Sequence, residues 1–309
     1  MNLIKIIFFL SLFVNGYSLK NLNKLVMASD NKILNKTKSY LQLTRADNIL
    51  PTTLLSFTGA YITSTNNLMP KTIVTVLTMC YSMIVNDIFD YEIDKINNPT
   101  RPLVSGKVTL YEALTLMVII LKTIDYVSYY YLPKNLQRIL EIMVIIVSLY
   151  TPILKKIPLV KNLTCATVIS FSVFFSGLSI NNRFLLYIVS SYIFLGTLMN
   201  ELLLDIKDYD GDKENKINTI PVIFGKNNTL ELCSNILRFN ILFNSTILLS
   251  FYNLFKMLPF LLFNIGHYIK LNNIINNGYT NSSIKNFVSF SNIPLFFSLI
   301  YFCIISKFF

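Results

Sequence analysis

TIVTVLTMCYSMIVNDIFDYEID, residues 72–94, runs from a charge-free apolar stretch directly into a group of acids. From Thr72 to Val85 there is no charged side chain, and Asp87, Asp90, Glu92 and Asp94 then follow within eight positions. Inside a bilayer the backbone has to satisfy its own hydrogen bonds, so such a run is expected as a helix. This one, placed near residues 70–88, delivers its carboxylates to one membrane boundary.

The rest of the chain repeats the first half of that pattern. Of 309 residues, 53% are hydrophobic and only 14% are charged, where a soluble domain carries about 25% charge. Nine apolar runs are expected as membrane helices, near 48–65, 70–88, 110–132, 136–154, 163–180, 184–204, 229–250, 252–270 and 286–306. The predicted fold class is therefore an all-α integral membrane bundle of about nine transmembrane helices, with the active site opening on one membrane face. Residues 1–18 hold one early lysine, a short apolar run and small residues, a signal-like segment too short to cross roughly 30 Å of hydrocarbon. Residues 19–42 read as a polar leader or linker, and 43–309 as the membrane domain.

The net charge of +11 raises the question of nucleic acid, but the basic residues sit in short loops rather than along a helix face, so nucleic-acid binding is set aside. Those loops orient the bundle. Lysines and arginines after the even-numbered runs and in the leader far outnumber those on the other side, which marks the richer face as cytosolic or equivalent. A secretory-type leader is compatible with the endoplasmic reticulum, and a basic, acid-poor leader with a plastid membrane. Four cysteines at scattered positions, without CxxC spacing, argue against zinc and disulfides, and the single histidine, His267, leaves no catalytic pairing to build on.

A second acidic cluster, Asp205-Ile206-Lys207-Asp208-Tyr209-Asp210-Gly211-Asp212, closes the sixth run. By the order of the runs it opens on the same membrane face as the first. Asp87, Asp90 and Asp94 are three and four residues apart, and Asp208 and Asp212 four, so each set shares a helical face. Like charges at those spacings oppose helix formation, and carboxylates at a membrane boundary are costly to desolvate. A shared cation resolves both costs. Oxygen-only donors suit magnesium, which retains waters and is completed by phosphate oxygens. An EF-hand would place its acids at alternate positions, and a proton relay would scatter them at mid-helix.

At these residues the sequence resembles the UbiA superfamily of intramembrane prenyltransferases. NDIFDYEIDKINNPTRPLVSGKV (86–108) is similar to the family's first motif and its R-P-L-x-S-G continuation, and DIKDYDGDKENKINTIPVIFG (205–225) to the second. YTPILKKIPLVKN (150–162) resembles the basic loop after helix four, and residues 43–59 the entry to helix one. The wording of the first motif is closest to archaeal geranylgeranylglyceryl phosphate prenyltransferases, with part shared by chlorophyll synthases. Lys216 stands where many members have glycine.

The resemblance implies transfer of a polyprenyl, geranylgeranyl-like group from its diphosphate to a lipophilic acceptor. Asp87, Asp90, Asp94, Asp208 and Asp212 are the implied magnesium ligands. Asn86, Arg101, Lys155 and Lys161 are implied partners of the diphosphate, and Arg45 and Asn48 of the acceptor. Phe89, Tyr91, Tyr150 and Tyr209 are aromatic residues near these positions. The expected acceptor is a glycerol-phosphate lipid, with an aromatic quinone precursor or a chlorophyllide-type tetrapyrrole as alternatives. A small-solute or cation transporter is the reading from another class. It requires charges at mid-membrane depth, and Lys122 with Asp125 is the clear internal pair.

Overall fold

A computed structural model describes residues 32–64, 67–178, 183–214 and 217–308. The expected signal-like segment at 1–18, the leader as far as residue 31, and Lys216 lie outside the described residues. Every regular element among the described residues is helical; eight of the nine apolar runs fall on one α-helix each, and the last is divided between two. The described residues fall into two compact units, one within Met1–Phe57 and Asn67–Thr151, the other within Thr58–Asn66 and Pro152–Phe309.

The first unit begins earlier than the sequence suggests. The end of the expected leader forms a helix, α1 (Lys32–Leu43). Lys36 ties it down by donating to the Lys107 carbonyl at 2.9 Å and to Glu112 at 2.7 Å. After α2 (Ile49–Ile62) come α3 (Leu68–Phe89), the short α4 (Tyr91–Asn97), α5 (Leu110–Tyr131) and α6 (Lys134–Tyr150). Thr109 starts α5 with a capping box, accepting from the Glu112 amide while Glu112 accepts from the Thr109 amide. Ile84 and Val85 of α3, Ile120 and Ile124 of α5, and Leu140 and Val147 of α6 are buried.

In the second unit α7 (Val160–Gly177) and α8 (Arg183–Lys207) pack side by side, followed by the short α9 (Tyr209–Glu214) and α10 (Ile220–Phe224). Next are α11 (Lys226–Phe251), α12 (Leu254–Asn276), α13 (Asn281–Phe290) and α14 (Asn292–Ile305). Met199, Leu202 and Ile206 of α8 pack with Cys233 and Leu237 of α11 and Phe287 of α13. Polar side chains stitch α8 to α12, α12 to α14 and α11 to α8: Tyr192 donates to Asn264 at 2.7 Å, Asn264 to Ser298 at 3.0 Å, and Asn240 to the Tyr192 carbonyl at 3.0 Å. Without water to compete, such bonds and close backbone packing replace the hydrophobic effect between helices. Gly59 and Gly177 serve the packing, since a Cβ on Gly59 would run into the Val173 carbonyl.

One boundary differs from expectation. The last run breaks at Ser291, because the ring of Pro294 cannot share a continuous helix with the carbonyl four residues before it. The division between the runs at 229–250 and 252–270 falls at residues 252–253, where the Asn253 side chain caps α12 by accepting from the Lys256 amide. Nine crossings are expected from the sequence. Among the described residues, five helices are long and apolar enough to cross a bilayer: α3, α7, α8, α11, and α13 with α14 as one span. At 14 residues, α2 rises only about 21 Å. All four cysteines are free.

Candidate functional site

The first aspartate motif is built on a bend in the chain. Asp90 ends α3 and begins α4 with φ −86° and ψ 5°. Its amide still donates to the Asn86 carbonyl at 2.9 Å, and its carbonyl accepts from the Asp94 amide at 2.8 Å. Asp87 and Asp94, seven residues apart, stay on one face through the bend. All three aspartates are buried, Asp87 with 3% of its surface exposed.

Burial of like charges on one face is stable only with opposite charge beside them. Arg101 supplies it. Pro99 forces the chain out of helix after Asn97, and the turns that follow fold the segment back: the Arg101 amide donates to the Asn98 carbonyl at 3.0 Å and the Ser105 amide to the Arg101 carbonyl at 2.8 Å. One guanidinium nitrogen, Nη1, then bonds Asp87 at 3.0 Å and also Asp94. Asn98 adds a bond to Asp94 at 3.2 Å. From the other side Arg45 donates to the same Asp87 oxygen at 3.2 Å. Arg45 has φ 48° and ψ 59°, a left-handed conformation that costs an arginine about 1–2 kcal/mol. Asn86 is half-buried and accepts from Thr151 at 3.3 Å, whereas Asn48 is exposed in the turn after Arg45.

The second motif is organised around an aspartate outside the expected ligand set. Asp205, one turn before Asp208, is buried on α8. Lys161 donates to its Oδ1 at 2.5 Å and Asn162 to its Oδ2 at 2.8 Å, both from the first turn of α7. That turn follows Leu159, whose φ of 65° is again a conformation L-residues avoid. Asp208 is 58% exposed and 3.1 Å from Lys207. Asp212 is half-buried. Burial raises its carboxyl pKa above the ordinary range, and the nearby Lys161 pulls it part of the way back. Lys155 lies half-buried in a 3-10 turn at Leu154–Lys156. A signal for Asp205 exists in the sequence: it shares a helical face with Leu198 and Leu202 and directly follows the leucines at 202–204, where a carboxylate needs a partner.

Among the aromatics, Tyr91 lies under Lys95 at 4.5 Å and Tyr209 under Lys226 at 4.4 Å, while Phe89 is exposed. Among the described residues no three histidine, cysteine or acidic side chains gather closely enough to hold a metal by themselves. The donors in each motif are carboxylate oxygens that already accept from cations. Such a set fits a hard divalent ion that keeps its waters and takes further oxygens from phosphate, and does not suit a metal caged wholly by protein.

Residues 49–299 match the model of the UbiA prenyltransferase family. The digeranylgeranylglyceryl phosphate synthase of Saccharolobus solfataricus is 30% identical over 216 residues, 65% of this chain and 73% of that protein. The enzyme of the same name from Sulfolobus acidocaldarius is 32% identical over 199 residues, 62% of this chain and 71% of that one. Among solved structures, one of a digeranylgeranylglyceryl phosphate synthase in membranes superposes with a TM-score of 0.75 at 23% identity, covering 89% of this chain and 99% of that one. A UbiA homolog from Archaeoglobus fulgidus bound to GPP and Mg2+ gives 0.61 at 19% identity, with 85% and 99% covered. With its family match over most of its length, its relatives at 30% identity or more and its five apolar helices, the chain belongs to the UbiA prenyltransferase family and is an integral, multi-pass membrane enzyme.

Proposed function

We propose that this enzyme transfers a geranylgeranyl-like group from its diphosphate to a glycerol-phosphate lipid, with magnesium held by Asp87, Asp90 and Asp94 and by Asp208 and Asp212. The observation that carries the reading is the enclosure of Asp87 and Asp94 by Arg101. Two buried carboxylates bonded by one guanidinium form a site ready for a divalent cation, with an arginine at hand for the oxygens that accompany it. The names of the archaeal relatives support the glycerol-phosphate acceptor, and the GPP and Mg2+ of the Archaeoglobus fulgidus homolog support the donor class and the metal.

When bound, magnesium would supply Lewis-acid stabilisation of the negative charge on the departing diphosphate. Arg101, Lys155 and Lys161 are the cations proposed to bind the same diphosphate, with Asn86 assisting by a side-chain hydrogen bond. Positive charge placed in advance where negative charge develops is the strongest stabilisation such a site can give its transition state. Arg45 and Asn48 remain proposed acceptor contacts, and Arg45 has a second role in its bond to Asp87. We also propose that all nine helices cross the bilayer, with the site opening on one face. Delivery to an endoplasmic-reticulum or plastid membrane is a proposal from the leader's composition alone.

Purified protein supplied with geranylgeranyl diphosphate and geranylgeranylglyceryl phosphate is expected to release diphosphate in a magnesium-dependent way. Asp87→Asn and Asp208→Asn should each lower the rate by at least ~100-fold. Full activity in both variants would remove the metal assignment. Quinone precursors and chlorophyllides in the same assay test the acceptor, and faster turnover of either would displace the glycerol-phosphate reading.

A further inference from the structure

We propose that the groove between α5 and α6 binds the ammonium head group of a membrane lipid. The groove encloses about 680 Å³ and is lined from both helices of the hairpin. Its charged lining residues are Asp125 on α5 and Glu141 on α6, and no lysine or arginine lines it. That is unusual in a chain with a net charge of +11. The two carboxylates stand at the same level: Asp125 is six residues before the end of α5, and Glu141 seven after the start of α6. Tyr126, Tyr129 and Tyr130 form the aromatic part of the lining. Their rings pack on one another, Tyr126 against Tyr130 at 4.7 Å and Tyr129 against Tyr130 edge-on at 5.1 Å.

The groove has a fixed shape. Gln137 donates to the Leu132 carbonyl at 2.8 Å and to the Ser128 carbonyl at 3.1 Å, which holds the end of α5 against the start of α6. Ile124 and Leu140 are buried at its base. Asp125 does have a partner, Lys122, but at 3.8 Å with both side chains more than two-thirds exposed, a pair worth little.

With α5 crossing the bilayer, as proposed above, depth argues for a lipid. Asp125 lies about 22 Å along α5 from Leu110, at roughly 1.5 Å per residue, and four tyrosines at 126 and 129–131 close the helix. Tyrosine clusters of this kind sit at head-group level. Two carboxylates on an outward face at that level are costly unless a cation meets them. An ammonium head group satisfies the carboxylates and lies against the ring faces, while its acyl chains follow Leu121, Val144 and Ile145.

The test is native mass spectrometry of the full chain in detergent, titrated with phosphatidylethanolamine, phosphatidylcholine and phosphatidylglycerol of identical acyl chains. Retention of the two ammonium lipids at about fivefold over phosphatidylglycerol is expected. The double variant Asp125→Asn, Glu141→Gln should lose that preference with unchanged helical circular dichroism. Where that variant fails to fold, Tyr129→Leu is expected to reduce the preference instead. Equal retention of all three lipids by the wild type, or an undiminished preference in a folded variant, would overturn the proposal. Tetramethylammonium chloride separates a lipid from a soluble ammonium compound: stabilisation by the salt equal to that by the lipid would overturn the lipid as occupant, and a weaker effect supports it.

Discussion

At the end of α3, Asp87 and Asp94 lie under one guanidinium and a second arginine closes on Asp87, whereas after α8 only Asp205 is enclosed and Asp208 stands 58% exposed. Both motifs read alike in the sequence, as aspartates three and four residues apart. Both straddle a helix junction, at Asp90 between α3 and α4 and at Asp208 between α8 and α9, and both keep their backbone hydrogen bonds through it, so their energetics differ in the cations that close on them. The first keeps its acids buried by building an arginine loop over them. The second divides the labour, with Asp205 anchoring α7 to α8 while Asp208 stays in contact with solvent. A carboxylate can therefore serve a site as structure or as chemistry, and the cations around it show which.

That distinction is most exposed at Arg101. Replacing it with leucine leaves two buried carboxylates with Arg45 and Asn98 as their remaining partners. Loss of one side of a buried ion pair costs about 3–5 kcal/mol, so Arg101→Leu should lower the thermal unfolding midpoint in detergent more than any aspartate-to-asparagine change in either motif. Magnesium should restore more stability to this variant than to wild type, because the freed carboxylates become available to it. A variant as stable as wild type would mean that the arginine loop is not what keeps the acids buried.

Lys161 probes the second motif in the same way. Lys161→Met should cost about 2–3 kcal/mol, since Asp205 keeps only the neutral Asn162. Asp205→Asn in the same chain should recover part of it, with a coupling of about 1 kcal/mol or more in the double-mutant cycle. Strict additivity would separate the two residues energetically, and Lys161 would then belong with the chemistry alone.

The helical bundle is largely legible in the sequence because its apolar runs are long and the backbone in lipid has one solution. The first motif is legible in Asp87, Asp90, Asp94 and Arg101, all within one continuous stretch. Arg45 is not readable as a partner of Asp87. It reaches across 42 residues of sequence from a left-handed turn that no local preference announces. Asp205 has the same spacing as the ligand aspartates, but acid spacing does not show it to be an anchor, because what marks it as one is the apolar face on which it lies. The polar stitching of Tyr192, Asn240 and Asn264 has a similar cause, since single polar residues in an apolar run do not reveal which helix they meet.

Asp208 and Asp210 test the exposed side of the comparison, with the smallest effects on stability. Asp210 is 70% exposed and pairs with Lys226 at 3.2 Å, and Asp208 pairs with the adjacent Lys207. Surface pairs of this kind contribute about 0–1 kcal/mol. Asp210→Asn and Asp208→Asn should both unfold within about 0.5 kcal/mol of wild type. Prenyl transfer should separate them: Asp210→Asn is expected to remain active while Asp208→Asn is not. Matching stabilities with divergent activities would show that the exposed carboxylate is retained for the reaction. If Asp208→Asn lost stability as heavily as Lys161→Met, its carboxylate would belong to the anchoring set, and the division of labour within the second motif would fail.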